Sequence, residues 1–347
     1  MIEASNSPPR VETLKAKHFR LLNPNIPLPR LQAVLFRSWL GQLENHLQGI
    51  ITTKNPICFV SLEGDQLTSL VVLVPYNSRG SCWYLDIPVL LEPSKAHSQA
   101  EYHQNIVQRS IDLGNIHTKS WLLRCQANDN KKICIARELG FQPLKYFQSW
   151  RPPRDQDDIR KMVARNKWPE GISWEKVSKK TAPLLLQLEK AGASGHQRQI
   201  IDRQWQDLLS QNKVGTGILL AKRGTSESAL LGLVGHPESG LEATTLELLR
   251  ESAWDNRIEE CLPIILYELI NSSEEIKIQT ARDDEKLNQL LLDHGWGKSH
   301  EEILLGKTLL RRQSSKRLAQ GAKPLEAMLG RLNPQTPPLP TPSVGRN

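Results

Sequence analysis

The stretch IARELGFQPLKYFQSW, residues 135–150, returns in outline near the other end of the chain as LLLDHGWGKSHEEILLGKTL, residues 291–310. Each begins as the apolar end of a helix, passes through a glycine followed by an aromatic residue, and then alternates in the manner of a strand. When Asp129 is aligned with Asp284, the segments leading into the two glycines match in length without a gap. Two segments closed in the same way indicate two similar units in one chain.

Both halves of the sequence predict the same order of elements. In the first, HFRLLNP (18–24) suits a strand, and residues 56–76 predict two strands around a Gly-Asp turn, which is a strong hairpin signal. In the second, APLLLQLEKAG and QIIDRQWQDLLSQN (199–212) predict helices before the next strands. Each half then follows the order β-α-β-β-β-α-β-α-β, which indicates a duplicated α/β architecture of mixed sheets.

A proline pair and mixed charges mark RPPRDQDDIRKMVARNKWPEG, residues 151–171, as the linker between two folded parts of similar size. The predicted organisation is a disordered N-terminus (1–15), a first domain (16–152), a linker (153–171), a second domain (172–312), and a basic then proline-rich disordered tail (313–347). We expect two separate lobes. One continuous sheet through both, or halves of unrelated wiring, would contradict this view.

Composition narrows the class of protein. The chain has 347 residues, 39% of them apolar, and nine tryptophans, which is typical of a globular protein. No apolar run is long enough to span a bilayer, and the polar start lacks a signal-peptide core, so we expect a cytoplasmic protein without membrane association. The cysteines form no CxxC pair, which favours reduced thiols and no metal site: Cys58, Cys82, Cys125, Cys134 and Cys261.

The net charge of +8 is concentrated at the C-terminal end. From Lys307 onward there are eight basic residues and one acidic residue, Glu326, so the remainder of the chain is nearly neutral. The tail would contact RNA or an acidic partner. A solvated tail without a partner is the alternative.

This order of elements, closed by a helix and a Gly-aromatic pair, resembles the GNAT (GCN5-related) family of N-acetyltransferases, which use acetyl-CoA. The resemblance is carried by DNKKICIARELGF (129–141) and DEKLNQLLLDHGW (284–296). Asp129 and Asp284 stand where the family often has Asn, and either residue type caps a helix N-terminus. The resemblance implies two tandem GNAT-like domains, each a mixed, mostly antiparallel sheet flanked by helices.

For acetyl-CoA or another acyl-CoA, the resemblance implies a pyrophosphate site on a glycine-rich turn after the fourth strand. The matching turns, LLEPSKAHSQAEYHQ (90–104) and LLRESAWDNRIEE (248–260), contain no glycine. Arg250, Arg257 and Lys95 would supply charge there. The cofactor-binding residues implied in the second copy are Leu248, Leu249, Arg250, Ala253, Trp254, Asp255, Asn256, Arg257 and Asp284.

The catalytic groups implied by the resemblance are also incomplete. The family's tyrosine acid is replaced by Ala136 in one copy and Leu291 in the other. A bulged fourth strand would still offer a backbone N–H to the thioester carbonyl. The general base would be Glu247 or Asp86. Alternatively, Glu247 lies on the solvent face of its strand, and Asp86 marks a strand irregularity before Pro88.

Two functions therefore stay open at this point. The first is an acyl-CoA-dependent N-acyltransferase, acetyl in the simplest case, acting on a small-molecule or protein amine, with the second copy active. The second is a catalytically degenerate binding or scaffold protein whose basic tail engages an acidic partner. The preserved order of elements favours the first, whereas the absent glycines and tyrosine acids favour the second.

Overall fold

The predicted hairpin forms around Gly64, which takes a positive φ of 60°. In the computed structural model, the described residues are 9–21, 36, 56–86, 88–91, 98–113, 118–153, 168–223, 226–237, 244–271 and 276–309. The first half contains β1 Arg10–Thr13, a 3-10 helix Ala16–Leu21, β2 Ile57–Glu63, β3 Gln66–Pro75, β4 Cys82–Leu85, β5 Val89–Leu90, α1 Gln99–Asp112, β6 Ser120–Gln126, α2 Asn130–Glu138 and β7 Gln142–Arg151.

The second half repeats this order. It contains β8 Ile172–Lys176, α3 Ala182–Ala191, α4 Gly195–Ile200, α5 Trp205–Ser210, β9 Gly217–Arg223, β10 Ser226–Gly235, β11 Thr244–Arg250, α6 Arg257–Ile270, β12 Ile276–Ala281, α7 Glu285–Asp293 and β13 Gly297–Thr308. The predicted mixed α/β fold is therefore confirmed. The predicted tail at 313–347 lies outside the described residues, and so do residues 154–167 of the predicted linker at 153–171.

The N-terminal elements differ from the sequence prediction. Strand β1 lies within the segment predicted to be disordered, and the predicted strand at 18–24 begins instead as the 3-10 helix. The reason is a local set of hydrogen bonds. His18 Nδ1 accepts from the Lys15 N–H at 2.9 Å, and His18 Nε2 lies 2.9 Å from Glu12 Oε1. The predicted helix at 199–212 is likewise split, because α4 ends at Ile200 and a new helix begins at Trp205.

The two closing segments take the same local structure, as predicted. Asp129 caps α2 by accepting from the Lys132 N–H at 3.1 Å, and Asp284 caps α7 by accepting from the Leu287 N–H at 3.2 Å. Each helix is followed by a glycine of positive φ, 85° at Gly140 and 78° at Gly295. The backbone there turns into the next strand through a conformation that a side chain disfavours.

Replacing Gly295 by alanine is expected to lower the free energy of unfolding by about 1 to 2 kcal/mol, because an L-residue is strained in the left-handed region. Chemical denaturation measures the change. Gly297→Ala is the matched control, since a Cβ at Gly297 meets no atom within 4 Å and its φ is not in the left-handed range. Equal stabilities for the two variants would contradict the assignment of strain to Gly295.

All thirteen strands belong to one mixed sheet, with the order β1-β2-β3-β4-β6-β13-β7-β12-β11-β10-β9-β8 and β5 added beside β3. β4 pairs parallel with β6, and β11 pairs parallel with β12, whereas the other neighbours are antiparallel. The expectation of two separate sheets is therefore wrong. The order is nevertheless that of two halves with the same wiring, because reading from either edge gives equivalent strands.

The halves are joined by an exchange of their last strands. β13, from the second half, pairs with β6, and β7, from the first half, pairs with β12, while β7 and β13 pair with each other at the centre. Each half thus completes its sheet with a strand of the other. This explains how duplicated sequence produces a continuous sheet.

Separate apolar cores lie on the two halves of the sheet. One includes Trp121, Phe141 and Leu305, and the other includes Trp150, Leu262 and Leu291. All five cysteines are free, and Cys134 is the exposed one among them. No helix in the described part of the chain has both the length and the apolar character needed to cross a membrane.

Candidate active site

The parallel strands of the first half part at their carboxyl ends. β4 and β6 pair from Cys82 with Ser120 to Leu85 with Leu123, and β6 then continues to Gln126 without β4 beside it. Among the described residues, the edge of β6 beyond Leu123 therefore has no strand partner on that side, and its backbone groups face the gap. Such an opening is a site where a ligand can meet backbone donors.

The equivalent gap in the second half is bridged. β11 and β12 pair as far as Glu247 with Gln279. Beyond that pair, Arg250 Nε at the end of β11 donates to Asp284 Oδ2, in the cap of α7, at 2.7 Å. The Arg250 guanidinium also lies 5.4 Å from the centre of the Trp254 ring. An internal ion pair thus closes the opening in this half.

In the turn expected to hold the cofactor, the charged side chains pair with each other. Arg257 pairs with Asp255 at 2.6 Å, and Asp255 Oδ1 accepts from the Arg257 N–H at the start of α6. A carboxylate therefore stands where a phosphate would meet the helix N-terminus. Of the other residues predicted there, the structure buries Leu248 and Leu249 in the core and leaves Ala253 and Asn256 exposed.

A cavity of 360 Å³ lies against the open gap of the first half. Its first-half wall includes Tyr84, Asp86, Arg124 and Lys132. The second half contributes seven further residues of the wall: His236, Pro237, Thr245, Lys277, His300, Glu302 and Leu304. Because β13 crosses into the first half, both halves supply polar side chains to this one cavity.

Glu247 is buried, with 4% of its surface exposed, so the solvent-face alternative is wrong. Its carboxylate accepts from Lys145 Nζ at 2.6 Å and lies 2.7 Å from His236 Nε2. Burial alone would raise the pKa of Glu247, but Lys145 and His236 outweigh burial and hold it well below its usual range. A carboxylate with so low a pKa keeps its charge and is a weak base. It suits the role of holding its two partners in place.

His236 extends this set of hydrogen bonds to the cavity. Because ionised Glu247 can only accept, His236 Nε2 carries the hydrogen, and Nδ1 accepts from the Tyr76 hydroxyl at 3.0 Å. Burial lowers the pKa of His236 and raises that of Tyr76, so the ring is neutral and the hydroxyl keeps its proton. The Glu247–His236–Tyr76 chain is therefore rigid and ends at the cavity wall.

Asp86 and Glu247 occupy equivalent positions in the two halves. Tyr84 in β4 and Thr245 in β11 pair with equivalent residues of the next parallel strand, and each precedes its carboxylate by two residues. Asp86 directly follows the end of β4 at Leu85, and its N–H donates to the Val72 carbonyl at 2.9 Å. The irregularity expected before Pro88 falls on residue 87, outside the described residues. The Asp86 side chain lines the cavity.

A bulge in β13 presents a histidine that the sequence did not indicate. The pairing of β13 with β7 shifts register between Lys298 and Glu301, so Ser299 and His300 fall in the irregular part of the strand. His300 Nε2 lies 2.8 Å from Glu302 Oε1, and its Nδ1 lies 3.0 Å from Ser299 Oγ. Bulges re-aim side chains in this way beside many active sites.

The charge state of Glu302 settles the roles of the two ring nitrogens. Burial would raise the pKa of Glu302, but Arg124 and the hydrogen bonds from His300 and Gln279 lower it. An ionised Glu302 accepts from Nε2, and Nδ1 lies within hydrogen-bond distance of the Ser299 hydroxyl. A carboxylate thus orients the imidazole through Nε2 and leaves Nδ1 beside a hydroxyl, an arrangement in which a histidine can serve as a general base at Nδ1.

Arg124 connects the two halves at the floor of the cavity. Its Nη1 donates to Gln279 Oε1 at 2.6 Å and lies 3.6 Å from Glu302 Oε2, and the guanidinium lies 4.4 Å from the centre of the Phe147 ring. Its Nε is buried and has no hydrogen-bond partner among the described residues. The guanidinium thus places a positive charge in the cavity wall where the halves meet.

Sequence reasoning missed Lys145, His300 and Arg124. The gap-free alignment of the halves contained a signal, because it sets Lys145 against His300 and Arg124 against Gln279. Lys95 and the tail lie outside the described residues. The described ranges contain no group of three or more metal-ligating side chains that would hold an ion. Ala136 and Leu291, at the positions of the missing acid, are buried in the two cores.

No family model and no curated protein matches the sequence. Solved structures do match. A tandem GNAT protein from the clavulanic acid biosynthesis pathway is 10% identical with a TM-score of 0.51, over 86% of this chain and 98% of that one. A GCN5-related N-acetyltransferase from Sphaerobacter thermophilus is 10% identical with a TM-score of 0.47, over 86% and 95%. A probable N-acyltransferase from Enterococcus faecalis V583 is 13% identical with a TM-score of 0.46, over 87% and 73%.

The likeness to the tandem protein shows that the fold of this chain is GNAT-like. Identities of this size establish a fold and leave activity to be argued from the site itself. The predicted resemblance is confirmed at the level of the fold.

Proposed function

We propose that the protein is an acyl-CoA-dependent N-acyltransferase, acetyl in the simplest case, and that the 360 Å³ cavity of the first half binds the acyl-CoA. The observation that carries the proposal is the parting of β4 and β6 at a cavity whose opposite wall holds the His300–Glu302 pair. The gap is open in the first half and bridged by Arg250 and Asp284 in the second. The active copy is therefore proposed to be the first, not the second.

The residues of the open gap suit an acyl-CoA. Arg124 lines the cavity with its guanidinium, and Lys132 adds a half-exposed ammonium at the start of α2, where it pairs with Asp129 at 2.8 Å. Both are cations, which complement the phosphates and carbonyl oxygens of such a ligand. The unpartnered edge of β6 offers backbone donors for the thioester carbonyl. In the second half Arg250 pairs with Asp284 across the opening, and Arg257 pairs with Asp255.

His300 is proposed as the general base. An amine is protonated near neutral pH, so one proton must leave before its nitrogen can attack. His300 Nδ1, the ring nitrogen on the Ser299 side, would take this proton. Glu302 would hold the ring in place through its contact with Nε2. Asp86 is the second candidate, on the facing wall. Glu247 is assigned to positioning, because its low pKa and its two partners leave it little basicity.

The reaction balances with these groups. Acyl-CoA would supply a thioester, whose C–S bond breaks as the amine nitrogen forms the new C–N bond. The ammonium gives one proton to His300 before the attack. The nitrogen of the tetrahedral intermediate then loses a second proton, which the departing thiolate takes up, so the products are the neutral amide and the CoA thiol. The absence of a tyrosine at Ala136 is compatible with this scheme because a thiolate is a good leaving group.

Acetyl-CoA at one hundred times its dissociation constant is expected to stabilise the protein by about 2.7 kcal/mol, seen as a raised melting temperature. Lys132→Met should weaken binding by about tenfold, the effect of one charge-assisted contact. Lys286→Met is the matched control in the second half, where the lysine lies over Trp254 beside the bridged gap. It should leave the stabilisation unchanged.

Three outcomes count against the proposal. An unchanged melting temperature with acetyl-, succinyl- and longer acyl-CoAs would contradict the enzyme proposal and favour the binding or scaffold alternative. Loss of the shift in Lys286→Met but not in Lys132→Met would place the cofactor in the second half. Loss of the shift in Arg250→Gln but not in Lys132→Met would also place the cofactor in the second half.

A further inference from the structure

A second cavity, of 410 Å³, lies directly behind His300. Its walls are mainly apolar and come from both halves: Trp150, Leu269, Ile270, Ile276, Ile278 and Trp296. Its polar end is formed by Arg151, Lys277, Ser299 and His300. The size and the apolar walls with a few polar groups at one end are those of a small-molecule site.

His300 and Lys277 line both cavities, so they form the wall between them. Glu302, on the Nε2 side of the ring, lines the first cavity, whereas Ser299, on the Nδ1 side, lines the second. Nδ1 of His300 is therefore presented toward the second cavity. A group that gives its proton to Nδ1 would approach from there.

The cations at the polar end have no carboxylate partner within the described ranges. Lys277 is half-buried and makes no ion pair there, and Arg151 uses its Nε for a bond to Ser299 Oγ at 3.1 Å. A half-buried ammonium without a counter-ion favours binding of an anion. A simple alkylammonium would instead be repelled.

We propose that this second cavity binds the acceptor and that the acceptor is a free α-amino acid with a large apolar side chain. The side chain would lie among Trp150, Trp296 and the aliphatic wall. The carboxylate would be held by Lys277 and Arg151, and the amino group would meet Ser299 and Nδ1 of His300. An α-amino acid carries all three groups on one Cα carbon. Its two charged groups therefore lie close together and its side chain points away from them, as the polar end and the apolar walls of the cavity require.

This inference rests on the proposed function for the reaction, but its test does not need the reaction. Binding of L-phenylalanine, phenethylamine and L-alanine is measured by calorimetry in the absence of acyl-CoA. Phenethylamine lacks the carboxylate and should bind about 10- to 100-fold more weakly than L-phenylalanine, since a charge-assisted contact is lost. L-alanine lacks the apolar side chain and should bind about 100-fold more weakly.

Lys277→Met should abolish most of the difference between L-phenylalanine and phenethylamine. Lys298→Met is the matched control, because Lys298 is exposed on the same strand as His300 and does not line the cavity. It should keep the difference. Quenching of intrinsic tryptophan fluorescence by L-phenylalanine, reduced in Trp296→Phe, would locate the ligand in this cavity.

Equal binding of L-phenylalanine and phenethylamine, or a difference that survives in Lys277→Met, would overturn the inference. The two proposals fail in distinguishable ways. If amino acids bind as described but no acyl transfer follows, the proposed function fails and the binding site stands. If acetyl-CoA is used with phenethylamine in preference to L-phenylalanine, the acyltransferase stands and the acceptor class is wrong.

Discussion

Replacing His300 by glutamine is expected to lower kcat/KM for acyl transfer by about 10² to 10⁴-fold, the usual contribution of a general base. Glutamine keeps a polar group of similar size beside Glu302 and Ser299, so the loss would reflect the missing basic nitrogen. The melting temperature should change little, because His300 is only partly buried. Steady-state rates and thermal unfolding of the same preparation check both statements.

The result separates His300 from the other candidate base. Asp86→Asn, on the facing wall, should reduce the rate far less than His300→Gln, and imidazole added to His300→Ala should restore part of the activity. If Asp86→Asn is the more damaging change, the base is Asp86. Glu302→Gln should act through His300 as a positioning residue, so its effect should largely disappear when it is combined with His300→Gln.

Replacing Lys145 by methionine is expected to lower the free energy of unfolding by about 3 to 5 kcal/mol, because it leaves a buried carboxylate without its cation. Lys145 Nζ and Glu247 Oε1 are 2.6 Å apart, and the side chains are 12% and 5% exposed. The pair joins β7 of the first half to β11 of the second. Urea unfolding of the full chain measures the change.

The matched control is Lys180→Met, which breaks a Lys–Glu pair of similar length, 2.9 Å to Glu227, whose lysine is 66% exposed. It should have little effect, because solvent screens such pairs. The double variant Lys145→Met with Glu247→Leu should recover part of the stability lost in the single variant. Additive losses would show that the two groups do not interact.

The loss of stability at acid pH gives an independent test of the lowered pKa of Glu247. Its pKa is lowered in the folded protein from an ordinary value of 4.5, so the unfolded chain binds its proton first as pH falls. Its contribution is therefore fully present above about pH 4.5 and is lost progressively below that value. The double variant should lose less stability between pH 5 and 3 than the wild type. An unchanged acid slope would contradict the lowered pKa.

Local features were predictable from the sequence because a few neighbouring residues decide them. The hairpin around Gly64 and the caps at Asp129 and Asp284 depend on backbone conformation and on side chains within three residues. The glycines that follow α2 and α7 lie in the left-handed region for the same reason. The repeated order of elements, and with it the GNAT-like fold, followed from these local patterns and their spacing.

The tertiary structure alone decided which strand completes which half. β7 and β13 have similar patterns, so the sequence cannot distinguish pairing with the parent half from pairing with the other half. Burial of Glu247, its contact with Lys145 and the meeting of Arg124 with Gln279 all depend on that exchange. So does the placement of His300 in the first-half cavity. These contacts join residues distant in sequence through the packing of the central strands, and no local propensity encodes them.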